Sequence, residues 1–254
     1  MPDDLDAAVE ANPVAVAALD LLLDTTSDLD VARALVVESA TYSTLQAGAE
    51  HRAWLGAHKR KRGEPDAEPV RMARDDHRLR LTLDRPRVRN AFDAAMRDAL
   101  LEGLALARDD DSITAVIVDG AGPNFCSGGD LDEFGTTPDP ATAHLIRVAR
   151  SVGRAIDELK PKVTVVVHGT CVGAGVELAA FAGHVVARPD ATFRLPEISM
   201  GLVPGAGGTV SLPRRIGTER TRWLAVSGSA IDAPTALDWG LIDTISETEG
   251  ASSG

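Results

Sequence analysis

Apolar positions change their period partway along the chain. From the start to about residue 58 they recur at helical spacing, with no glycine before Gly48. Pro13 opens a compact apolar run over residues 14–23, which predicts one helix. Residues 29–45 carry Val31, Leu35, Val36 and Ser39 at helical spacing and predict a second, capped by Ser27 or Asp28. Gly48 breaks it, and residues 51–58 predict a short further turn. The charged, proline-bearing stretch 59–69, which begins Lys59-Arg60-Lys61-Arg62, predicts an exposed linker. Beyond it, strand and helix patterns alternate. Leu79-Arg80-Leu81-Thr82-Leu83 has the period of two of a half-buried strand. Residues 94–107 predict an amphipathic helix, and 115–119 a buried strand followed by a Gly-rich loop. Residues 141–159 predict one long helix ahead of Pro161, and 163–168 another buried strand. A helix is predicted from about Ala174 and a strand near 184–187. Such alternation implies an α/β fold. The chain divides into an N-terminal helical extension and linker (1–70), an α/β core (71–246) and a polar tail (247–254). No dinucleotide-type glycine fingerprint and no repeat is present.

Composition narrows the function classes. The net charge of −12 argues against general nucleic-acid binding and against an anionic membrane surface, and an anionic ligand would need a local basic pocket. Aromatic residues make up only 4%, so the core is expected to be Val, Leu, Ile and Ala. Cys126 and Cys171 form neither a disulfide framework nor a zinc pattern, and no metal is expected. No apolar run reaches about 18 residues, and Met1-Pro2-Asp3-Asp4 lacks the basic start of a signal peptide. A soluble, cytoplasmic protein is expected.

The candidate chemistry lies in two glutamates. Glu177 sits in His168-Gly169-Thr170-Cys171-Val172-Gly173-Ala174-Gly175-Val176-Glu177-Leu178, and Glu197 in Phe193-Arg194-Leu195-Pro196-Glu197-Ile198, just before Gly201-Leu202-Val203-Pro204-Gly205-Ala206-Gly207-Gly208-Thr209. Each carboxyl is set among apolar and small residues. Burial and a neighbouring carboxylate both raise a carboxyl pKa, so such a pair can divide acid and base work.

Around these segments the chain resembles the crotonase superfamily, the enoyl-CoA hydratase/isomerase family, from about Arg78 to Ile245. Arg85-Pro86-Arg87-Val88-Arg89-Asn90-Ala91-Phe92 is similar to its early strand-to-helix turn. Asn124-Phe125-Cys126-Ser127-Gly128-Gly129-Asp130-Leu131 is similar to its first oxyanion loop, the glutamate segments to its second oxyanion loop and catalytic turn, and 232–243 to its late helix-to-strand segment. The resemblance implies a crotonase-like ββα spiral core carrying an N-terminal helical segment. It implies an oxyanion hole from the N–H groups of Gly129 and Ala174, with Glu177 activating water and Glu197 handling the α-carbon proton of a 2-enoyl-CoA. Arg87, Arg89, Ser127, Gly128 and Gly205 are the candidate substrate-binding residues. Asp130 reads as a helix cap, and His168 as structural. CoA would be part of the substrate, with no separate cofactor.

The resemblance leaves other reactions open: isomerisation, hydrolysis, decarboxylation or cofactor-independent oxygenation of an acyl-CoA, or a noncatalytic acyl-CoA-binding partner subunit. It implies a homotrimer or homohexamer. Family members usually carry further helices after the segment matching Gly240-Leu241-Ile242-Asp243. Here the N-terminal helices are expected either to take the place of that cap, within the subunit or across an interface, or to form an unrelated regulatory or docking appendage.

Overall fold

The computed structural model describes residues 3–58 and 68–247; the basic run 59–62 and the end of the tail lie outside them. Four helices come first: α1 (Asp3–Ala11), α2 (Pro13–Thr25), α3 (Val31–Gln46) and α4 (Ala49–Ala57). Pro13 opens α2 at a position where a missing N–H costs nothing. The neighbouring Val14 and Ala15 N–H groups donate to the Glu50 carboxylate of α4, at 2.8 and 3.0 Å. The cap of α3 is Asp30, which accepts from Arg33 N–H at 2.8 Å, rather than Ser27 or Asp28. The chain needs the extra turn 26–29 before an acceptor side chain reaches the first free amides.

The core follows as β1 (Val70–Asp75), β2 (Arg78–Leu83), α5 (Ala94–Asp109), β3 (Ala115–Gly120), α6 (Pro140–Ala149) and α7 (Val152–Glu158). After these come β4 (Val163–Val167), β5 (Thr170–Val172), α8 (Ala174–Ala179), β6 (His184–Ala187) and β7 (Thr192–Arg194). The last elements are α9 (Gly208–Ile216), α10 (Thr218–Ser227), β8 (Ile231–Asp232), α11 (Ala233–Trp239) and β9 (Thr244–Ile245). Strands β1-β2-β3-β4-β6-β9 form one sheet, parallel except for the β1–β2 pair. Strands β5-β7-β8 form a second. Strands β4 and β6 each lead directly into a strand of the small sheet, β5 and β7. This ββα step recurs as a spiral.

Three expectations need correction. Strand β1 is absent from the sequence reading because five of its six residues are exposed, which leaves no alternation to detect. The long helix expected over 141–159 is two, broken at Arg150. Ser151 leaves the helix and caps α7 by accepting from Arg154 N–H at 3.2 Å, and Gly153 lets the Phe181 ring pack against the α7 backbone. Asp130 caps no helix. Its Oδ1 accepts from Asp132 N–H at 3.1 Å, in a turn, and its Oδ2 lies 3.3 Å from the buried Arg85 guanidinium.

The core is continuous across the chain. Leu79, Leu81 and Leu83 of β2, Val116 and Val118 of β3, and Val163, Val165 and Val167 of β4 meet Met96, Leu100 and Leu104 of α5. Ala15, Val16, Leu19, Leu22 and Leu23 of α2 and Ala34, Leu35 and Leu45 of α3 join the same cluster. Each buried Leu or Val there contributes about 1.5–3 kcal/mol before ordering costs. Helix α3 packs on α6 and α9, and α2 on α9 and α10, so the N-terminal helices close over the far end of the spiral.

Candidate active site

Strand β5 turns straight into α8 at Gly173, whose φ of +49° and ψ of −120° suit glycine alone. A Cβ there would overlap Glu197 Oε1 and lie 3.5 Å from Gly128 Cα. Three sequence-predicted segments therefore converge on this one residue. Gly173 N–H is taken by Arg194 O at 2.9 Å. The next N–H, that of Ala174, is the first of α8 and has no acceptor within a helix.

The first loop is held along its length. Phe125 N–H donates to His168 O (3.0 Å), Cys126 N–H to Thr170 O (3.2 Å), Ser127 N–H to Arg89 O (2.9 Å) and Asp130 N–H to Phe92 O (2.9 Å). Gly128, at φ +93°, accepts through its carbonyl from Phe92 N–H at 2.8 Å. Among the hydrogen bonds of the described residues, the N–H groups of Gly129 and Ala174 donate to no protein acceptor. Uncommitted amides on two touching loops can serve a developing oxyanion. The Phe134 ring lies 3.1 Å from where a Gly129 Cβ would be.

The two glutamates have opposite surroundings. Glu177, 2% exposed, accepts through Oε2 alone, from Ala206 N–H at 2.6 Å and Gly208 N–H at 2.9 Å. A Cβ on Gly208 would meet Glu177 Cγ at 2.7 Å, so only glycine lets the carboxylate in. Burial raises the Glu177 carboxyl to about 7, against the pull of those two donors. Glu197 stands in a 3-10 turn, Glu197–Met200, that ends at Gly201 (φ +68°). Its Oε2 is enclosed and has no hydrogen-bond partner. Burial first, and the Glu177 charge second, raise it well above the usual carboxyl range.

Of the candidate substrate-binding residues, Gly128 and Ser127 lie on the first loop, with Ser127 Oγ donating to Val88 O at 3.3 Å. Arg87 and Arg89 are exposed on the adjoining turn. Gly205 lies beneath the Tyr42 ring of α3. His168 Nε2 is 2.9 Å from Gly122 O, a structural contact. Cys126 and Cys171 pair across an isolated bridge in the interior; burial pushes the Cys126 thiol up to about 12 and the Cys171 thiol upward as well, which disfavours a thiolate nucleophile. Among the described residues no cluster of three or more His, Cys, Asp or Glu could hold a metal ion.

The N-terminal helices bring residues that the sequence reading passed over. Glu38 of α3 is 1% exposed and reaches the turn that grips Glu177. Tyr42, one helical turn on, carries the Arg147 guanidinium 4.7 Å from its ring centroid. Arg147 in turn donates to Ser39 Oγ (3.2 Å) and Gln46 Oε1 (3.3 Å) of α3. A cavity of about 110 Å³ between α3, α6 and residues 205–207 is lined by Leu35, Glu38, Phe92, Arg147 and Leu178. On α4, His51 Nδ1–H donates to Met200 O (2.9 Å), and Trp54 stacks on His51 and His58 and tilts against Phe134 at 5.8 Å. The signal for Glu38 was its spacing, four residues from Ala34 and three from Leu35, on the buried face of α3.

The family model described as enoyl-CoA hydratase/isomerase matches residues 78–250. The chain is 34% identical over 174 residues to the 2,3-dehydroadipyl-CoA hydratase of Escherichia coli, covering 68% of each chain. It is 35% identical over 176 residues to the 1,2-epoxyphenylacetyl-CoA isomerase of the same organism, covering 67% of each. Among solved structures, an enoyl-CoA hydratase from Thermoplasma volcanium superposes with a TM-score of 0.66 at 31% identity, over 72% of this chain and 73% of that one. With its ββα spiral and its matched core, the chain has the crotonase fold and belongs to the enoyl-CoA hydratase/isomerase family.

Proposed function

We propose that this protein is an enoyl-CoA hydratase, adding water across the double bond of a 2-enoyl-CoA. The observation that carries the proposal is the asymmetry between the glutamates. Glu177 has one oxygen held by two N–H groups, while Oε1 takes no protein hydrogen bond among the described residues. Glu197 has an enclosed oxygen with no donor at all. Donors favour a carboxylate, and dry enclosure favours the neutral acid. Glu177 is therefore the base that orients water through Oε1 toward the β-carbon, and Glu197 the acid that protonates the α-carbon. The thioester oxygen takes the amides of Gly129 and Ala174, each worth about 3 kcal/mol as negative charge develops there. Arg87 and Arg89, exposed beside the first loop, suit the CoA phosphates. A homotrimer or homohexamer, tested by light scattering, completes the proposal.

The test uses crotonyl-CoA, followed by loss of the conjugated thioester absorbance. Glu177→Gln and Glu197→Gln should each lower kcat by about a hundredfold or more. Thioester binding should change much less, since the oxyanion donors are backbone groups. Wild-type rates in both variants would remove the assignment. Turnover without incorporation of oxygen from labelled water would point instead to isomerisation by the same pair.

A further inference from the structure

Glu38 has no part in the chemistry above, yet it shares a turn with Glu177. Residues 206–209 lead into α9, a nine-residue helix whose first amides have no partners within it. The two carboxylates take these amides in alternation. Ala206 and Gly208 donate to Glu177 Oε2. Gly207 N–H donates to Glu38 Oε1 at 2.8 Å, and Thr209 donates to Glu38 Oε2 through N–H at 3.0 Å and through Oγ1 at 2.7 Å. Neither carboxylate can withdraw without leaving buried donors unpaired on a turn that the other also grips. Gly207, at φ +109°, is wedged between the Phe181 ring and Leu35, which leaves the turn little room to relax.

We propose that Glu38 is a positioning residue for Glu177, fixing the 206–209 turn from the side of the N-terminal helices. The other groups facing it are Tyr42 on its own helix, Arg147 of α6, with Arg97 and Arg150 lining the same cavity, and Glu197 beyond Glu177. Burial and the Glu177 charge raise the Glu38 carboxyl to about 8, opposed by the donors of Thr209 and Gly207. Two carboxyls so placed titrate as a pair, so deleting one charge must lower the other group.

Full-length protein labelled with 13C at glutamate Cδ, titrated by NMR from about pH 5 to 9.5, reads this without any substrate. Variants E38Q and E177Q assign the two resonances. In E177Q the Glu38 midpoint should fall by about one unit or more; an unmoved midpoint overturns the coupling. In E38A the Glu177 resonance should shift and broaden, and an unchanged line overturns the positioning role. The kinetic arm rests on the hydratase reading. E38A should lower kcat by about tenfold to a hundredfold with KM nearly unchanged. E38Q, which keeps the side-chain shape and an acceptor for Gly207 but sets its NH2 against Thr209 N–H, should recover part of it. Wild-type kcat in E38A would refute the proposal. Failure of the wild type to hydrate any enoyl thioester would sink the hydratase reading and leave the NMR arms to decide this one. Should E38A not fold, T209V removes one donor to Glu38 and keeps the backbone; the Glu38 midpoint should then rise, and an unchanged midpoint counts against the proposal.

Discussion

Replacing Gly173 with alanine perturbs the backbone where the two loops and Glu197 meet. At φ +49° and ψ −120° an L-residue is strained by about 1–3 kcal/mol. For a chain of this size each kcal/mol lowers Tm by roughly 2–4 °C, so a fall of about 2–12 °C is expected. The added methyl also overlaps Glu197 Oε1, on the carboxyl whose Oε2 is already enclosed. Relief must come from rotation of the 173–174 peptide or displacement of Glu197. On the proposed oxyanion role, loss of the Ala174 donor should cost about 3 kcal/mol in the transition state, on the order of a hundredfold in kcat. The assays are a calorimetric melt and the crotonyl-CoA absorbance trace. Gly56→Ala is the control. It lies in α4 with nothing within 4 Å of its Cβ position, and should raise stability by about 0.5–1 kcal/mol. Wild-type Tm and kcat in Gly173→Ala would refute the geometry at Gly173. A lowered Tm with full activity would leave the geometry standing and refute the oxyanion and acid assignments.

Two further outcomes are expected. The raised carboxyls of Glu38 (about 8) and Glu177 (about 7) keep protons that the unfolded chain releases near 4.5, so their contribution is full below that pH and is lost as pH rises to 8. Wild-type Tm should therefore fall between about pH 5 and 8, and E38Q should show a flatter profile; a wild-type Tm that rises across this window, or an equal slope in E38Q, contradicts the protonated cluster. Arg85→Met removes a buried guanidinium lying 2.9 Å from Asp93 and 3.3 Å from Asp130, and should cost about 3–5 kcal/mol in urea unfolding because two carboxylates lose their partner; a loss under 1 kcal/mol would show that water already compensates them.

Legibility followed the physics of each segment. Strands β2, β3 and β4 announced themselves because their burial pattern is written in Leu, Val and Ile. Glu177 and Glu197 stood out because a carboxyl among apolar and small residues has few structural excuses. Glu38 did not, because its neighbours on α3 include as many polar as apolar residues. Val36, which the periodicity placed on the stripe, is 42% exposed, while Glu38 is buried. Which face of such a helix turns inward depends on what it meets, here residues 207–209, about 170 positions later. The break at Arg150 was hidden for a related reason. Ser151 is as ordinary inside a helix as at its cap until Phe181 claims the space beside Gly153.

The contact between Glu38 and residues 207–209 spans 169 to 171 positions of sequence. Such closures are formed late, since their ordering cost precedes their reward. On the ribosome, α1 to α4 emerge before α9 and α10, and their apolar faces, including Leu19, Leu22 and Leu35, must wait for those two helices to be made. During that interval this apolar surface lacks part of its native cover. Docking of the first helices onto the last ones would then be the step that both completes this cover and braces the turn beneath Glu177. A nascent chain halted before residue 206 would carry both Gly129 and Ala174, and both glutamates, without the amides that hold the first of them in place.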